Sequence, residues 1–108
     1  MLSIVVDEGY AYDYLAILLV KGDKKYYDLT YENIQSQVGV ELHKKITESR
    51  EFFDLFDANT ETFNAVQLAR YWEISAKEVD SCNMKRYNCK VALQNKFFPN
   101  NKVLEIKT

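Results

Sequence analysis

A chain of 108 residues fits a single helical domain, 1–108, and leaves no room for two. Its formal net charge of −2 argues against a nucleic-acid partner, which needs a basic surface, and against docking to anionic lipid. Eight Tyr and six Phe supply buried area for a small core, while only three Gly and one Pro leave few turn points and favour long helices.

The start, Met1 to Glu8, is acidic and lacks a basic segment, which argues against a secretory signal. Ser3 to Val6 is largely β-branched and reads as a short strand over 3–6. Residues 8–21 follow as a helix buried on most sides. The apolar run from Tyr14 to Val20 is ambiguous by periodicity, but length favours a helix, and Lys21-Gly22 is a stop signal. It falls short of the ~18 consecutive apolar residues of a membrane span.

After a turn over 22–25, Thr30 is the expected cap of a second helix, with Glu32 favoured in its first turn. Tyr31, Ile34, Val38, Leu42 and Ile46 form its apolar stripe, and Gly39 kinks it without ending it. Ser49 caps a third helix whose stripe is Phe52, Phe56, Phe63 and Val66, widened by Leu55, Ala65, Ala69 and Trp72. Ser75 and Glu78 match a capping box that starts a fourth, with Val79, Cys82, Cys89, Leu93 and Phe97 inward and Pro99 as the stop. The tail, 103–106, alternates and reads as a strand paired with 3–6. The expected fold is therefore all-α, a four-helix antiparallel bundle with a minor pair of terminal strands.

Cys82 and Cys89 stand seven residues apart on one helix, roughly 10 Å along its axis, too far for a disulfide. Two reduced thiols suit a cytoplasmic protein.

The first and last helices suit one another in charge. Asp13 sits in an apolar segment, and Arg86 and Lys90 lie on the mixed helix near the other end. A buried carboxylate needs a partner, and the planar fork of Arg is the natural one. The expectation is a structural salt bridge from Asp13 to Arg86. The alternative is a small-anion site with Arg86, Lys90 and Lys21 as donors.

At these residues the chain resembles a family of short, mostly helical bacterial and phage proteins grouped as a domain of unknown function. Near the start the family pattern is close to G-E-L-I-D-K-x-x-I-L-x-I-K. Gly9, Asp13, Ile17, Leu18 and Lys21 match it without a gap. Further on, Leu68-Ala69-Arg70, then Asn83, Arg86 and Lys90, and finally Leu104, Glu105 and Lys107 echo the remaining motifs. The chain departs where the family's acidic or basic residues become Tyr10, Tyr14 and Met84. The resemblance implies a mostly helical domain and supplies no activity.

Other candidate chemistry is sparse. Glu48, Glu51, Asp54 and Asp57 recur at three-residue steps. Such a ladder can hold Mg²⁺ through Glu48, Glu51 and Asp54, and it is similar to one of the paired acidic helices of all-α nucleotide pyrophosphohydrolases. No second acidic helix accompanies it, and acids also belong near a helix N-terminus on dipole grounds. His43, the single histidine, stands beside Lys44 and Lys45 and reads as a surface residue. Lys85, Arg86 and Lys90, interleaved with Tyr87, are a thin basis for nucleic-acid binding. No phosphate-binding glycine loop, zinc constellation or nucleophile–base motif appears, so no cofactor is expected. The reading that follows is a non-catalytic interaction module, with a protein partner or a second copy of itself as a homodimer. Tyr26, Tyr27, Tyr31, Tyr71 and Trp72 are the expected interface rings.

Overall fold

A computed structural model describes the backbone of residues 7–72 and 76–99, and the side chains of 7–67 and 78–99. Every element among them is an α-helix. They are α1 (Glu8–Lys21), α2 (Lys24–Val38), α3 (Val40–Thr47), α4 (Arg50–Trp72) and α5 (Ala76–Phe97). The proposed strands at 3–6 and 103–106, and the Ser75 cap, lie outside the described residues.

Local chemistry sets most helix ends. The Asp7 carboxylate accepts from the Tyr10 amide at 2.7 Å and starts α1. Gly22 ends it in the left-handed region, φ 70°, with its N–H returned to the Leu18 and Leu19 carbonyls. The chain reverses at once, and Asp23 caps α2 by accepting from the Tyr26 amide at 3.2 Å. The second helix thus begins well before Thr30. Gly39, at φ 103°, ends α2 instead of merely kinking it, and a fresh helix, α3, starts at Val40. The Ser49 hydroxyl accepts from the Phe52 amide at 3.2 Å and donates to the Ile46 carbonyl at 2.5 Å, joining α3 to α4.

Side-chain ties fix the directions of the long helices. Gly9 meets Gln94 and Asp13 meets Arg86, so α1 and α5 are antiparallel. Glu51 meets Lys96 and Glu61 meets Lys85, so α4 and α5 are antiparallel too, and α1 runs alongside α4 in the same sense. The most extensive helix contact is α4 on α5, followed by α1 on α4, while α2 packs mainly on α1 and α3. Tyr12, Leu15, Ala16, Ile34, Ile46, Phe52, Leu55 and Leu93 make the core where these helices converge. Burying large side chains of this kind contributes roughly 1.5–3 kcal/mol each.

The face of α4 differs from the stripe read in the sequence. Its buried positions are Phe52, Leu55, Ala58, Asn59, Thr62 and Ala65. Phe63 and Val66, expected inside, are 41% and 43% exposed, and Phe53 is 59% exposed. Small and polar side chains share the buried positions, and Phe53, Phe63 and Val66 lie on the outer side.

Candidate functional site

The best-organised polar site is the seam of α1 with α4 and α5. Asp13 is buried on α1, turned away from solvent by the phase that also buries Gly9, Tyr12 and Ala16. Arg86 approaches from α5 with its fork engaged. Its Nη2 donates to Asp13 Oδ2 at 2.8 Å and its Nε to Oδ1 at 3.1 Å. From α4, Asn59 Nδ2 donates to Asp13 Oδ1 at 2.9 Å and to the Leu55 carbonyl at 3.0 Å. Bonding to Asp13 raises the Arg86 pKa above its ordinary value. Asn59 carries no charge and sits among phenylalanines in the sequence, so its role was not legible there.

One turn toward the N-terminus of α1, the helices almost touch. The Gly9 amide donates to the buried Gln94 Oε1 at 2.6 Å, and Gln94 Nε2 donates to Glu8 Oε2 at 2.8 Å. A Cβ on Gly9 would lie 3.0 Å from both the Lys90 carbonyl and its Cγ. Glycine is therefore what lets α5 close on α1.

Of the other donors assigned to an anion site, Lys21 stands apart from Arg86, and Lys90 has an aromatic neighbour. Lys21 is exposed in the last turn of α1, roughly 12 Å along the axis from Asp13. Lys90, half-buried one turn along α5 from Arg86, has its ammonium 5.2 Å from the Tyr87 ring centroid, a cation–π contact. The bonded donors of Arg86 already serve Asp13. The basic patch read at Lys85, Arg86 and Lys90 is also largely neutralised, because Lys85 Nζ meets Glu61 at 2.9 Å.

The acidic ladder does not converge. Glu48 is an exposed residue in the turn between α3 and α4, Glu51 bonds Lys96 of α5, and Asp54 lies exposed, 4.0 Å from Arg50. The Lys96 bond holds the Glu51 carboxyl below the usual range. Among the described residues, no three His, Cys, Asp or Glu side chains gather so as to hold a metal ion. The physical reason is that Ser49 begins a new helix, which takes Glu48 off the face it would share with Glu51 and Asp54.

His43 requires a correction. It is fully buried, not a surface residue, and its Nδ1 lies 2.8 Å from the Tyr12 hydroxyl. Tyr31 packs on it edge-to-face at a centroid distance of 4.2 Å. Burial lowers the His43 pKa and raises that of Tyr12. Among the described residues, Nε2 of His43 is the buried side-chain polar atom without a partner. The signal available in the sequence was the three-residue step from His43 to Ile46, masked by the neighbouring Lys44 and Lys45.

The expected interface rings divide. Tyr26 is 54% exposed, but Tyr27 and Tyr31 pack against the core and each other. The side chains of Tyr71 and Trp72 lie outside the described residues. Exposed rings that the sequence reading did not single out for an interface are Tyr10, Tyr14, Phe53, Phe63 and Tyr87. Cys82 and Cys89 are free thiols, half-buried on α5. Among the described residues, no helix is long and apolar enough to cross a membrane.

Comparison with family models, curated proteins and solved structures returns no match. The family resemblance therefore rests on its motif residues alone.

Proposed function

We propose that this protein is a non-catalytic interaction module that associates with a second copy of itself through the outer face of α4. The observation that carries this reading is a stripe of Phe53, Phe56, Thr60, Phe63 and Gln67, at alternating three- and four-residue steps and without a charge. Such a 3-4 spacing lets one helix interdigitate with its own copy. Phe53 and Phe63 are the large apolar groups left exposed along it. In an antiparallel pairing centred near Thr60, Phe56 of each copy faces Phe63 of the other. A two-fold dimer of this kind is the commonest oligomer and uses one patch twice. Exposed charges such as Asp57 and Glu61 flank the stripe on one side, as a polar rim does.

The enzyme alternative at Glu48, Glu51 and Asp54 has less support, because Glu51 is engaged by Lys96. The anion alternative at Arg86 and Lys90 has less support, because Asp13 occupies the Arg86 fork. Within this reading α2 takes the second position of a four-helix antiparallel bundle, and α3 turns back on it after Gly39. Size-exclusion chromatography of Phe53→Glu and Phe63→Glu tests the reading. Later elution than the parent chain, with unchanged circular dichroism, is the expected result. Identical elution of parent and variants would remove α4 as the contact.

A further inference from the structure

His43 stands where three helices meet, and its surroundings suit a neutral ring only. Its own helix is α3, Tyr12 reaches it from α1, and Tyr31 covers it from α2. Tyr12 is itself fully buried, and burial keeps its proton on. If Tyr12 donates to Nδ1, only the Nε2–H lacks a partner. The opposite tautomer would strand both the phenol proton and the Nε2 lone pair. The first arrangement is therefore the stable one.

A second proton would place a full charge on a ring with no exposure. Among the described residues, the polar groups recorded against it are the two phenols, Tyr12 from α1 and Tyr31 from α2, and neither can neutralise it. Lys44 and Lys45, its neighbours on α3, are exposed and of the wrong sign. Burial lowers its affinity for a proton. A buried charge without a partner is relieved by moving into water.

The α2–α3 pair holds to the rest of the molecule through Ile34, Ile46 and the Tyr12–His43 bond. Glycines in the left-handed half of backbone space, Gly22 and Gly39, precede and divide it. Ile34 is the one buried residue of α2, and α3 is eight residues long. The ties among α1, α4 and α5 do not pass through it. Asp13–Arg86–Asn59, Gln94–Gly9, Glu51–Lys96 and Glu61–Lys85 all join the other three helices.

We propose that His43 is a proton-operated latch, and that its protonation releases α2 and α3 together from a clasped α1–α4–α5 unit. Release uncovers Tyr12, Leu15 and Phe52, an apolar surface closed at neutral pH. The sign follows from linkage. A solvent-exposed imidazole takes up its proton near pH 6.5, whereas the docked one resists it. Docking is unaffected at pH 8 and weakens as pH falls below about 6.5, with the opening constant rising roughly tenfold per pH unit until the docked ring also titrates.

Amide hydrogen exchange at pH 7.5 and 5.5, corrected for intrinsic rates, tests this directly. The expected result is an opening constant at least about threefold larger at pH 5.5 in residues 24–47, with α4 and α5 unchanged. The ring resonance of the one histidine, followed by NMR, should titrate below 6.5 in the docked state. His43→Gln, which keeps an acceptor without the titration, should remove the pH dependence. Should that variant fail to fold, the wild-type exchange map still decides. Uniform opening across all helices, a histidine titrating as though in water, or pH dependence retained in folded His43→Gln would each overturn the latch.

Discussion

Replacing Arg86 with alanine should unfasten α1 from α5, and the cost can be estimated from geometry. Asp13 would keep the Asn59 amide but lose three contacts from the guanidinium, at 2.8, 3.1 and 3.3 Å. Its side chain is 9% exposed, so water reaches it poorly. Stranding a fully buried charge costs about 3–5 kcal/mol. The Arg86 side chain is 30% exposed, so part of the interaction is screened and the expectation falls to about 2–3 kcal/mol. For a chain of this size that corresponds to a loss of about 8–12 °C in Tm. Thermal melts by circular dichroism measure it, with Lys45→Ala, on the exposed side of α3, as a control that should leave Tm unchanged. A double-mutant cycle with Asp13→Asn isolates the pair. Arg86→Ala should cost far less in that background, leaving a coupling of about 2 kcal/mol. A coupling below about 0.5 kcal/mol would mean that the pair contributes no more than a surface bridge, and the clasp would be refuted.

Other expectations follow from single residues. Gly9→Ala gains helix propensity but sets a Cβ 3.0 Å from the Lys90 backbone oxygen, so a net loss of about 1–2 kcal/mol is expected in urea denaturation, and a gain would show that α1 and α5 stand further apart. Tyr12→Phe strands His43 Nδ1 and should cost about 1–2 kcal/mol at pH 7.5; an unchanged midpoint would show that the hydroxyl bond is absent. Millimolar Mg²⁺ should leave Tm unchanged, and a rise that disappears in Glu51→Gln would restore the acidic ladder as a metal site.

The sequence disclosed local signals better than faces. The bounds of α1 were readable because Lys21-Gly22 marks its end, and the start of α4 because Ser49 can reach the Phe52 amide. The pairing of Asp13 with Arg86 was also accessible, since a carboxylate in an apolar helix demands a cation. The break at Gly39 was not, because the step from Val38 to Leu42 and Ile46 stays in phase across the glycine and imitates one helix. His43 was obscured by its charged neighbours in the chain, although its partners, Tyr12 and Tyr31, come from other helices. The phase of α4 was obscured differently. A hydrophobicity count favours the phenylalanines, yet the buried positions of α4 include Ala58, Asn59 and Thr62, and Asn59 bonds Asp13.

Sedimentation equilibrium of the unmodified chain over a wide concentration range tests the proposed role most directly. Self-association through α4 predicts a mass of 12.7 kDa at high dilution, rising toward twice that value as concentration increases. A mass fixed at 12.7 kDa throughout would contradict it.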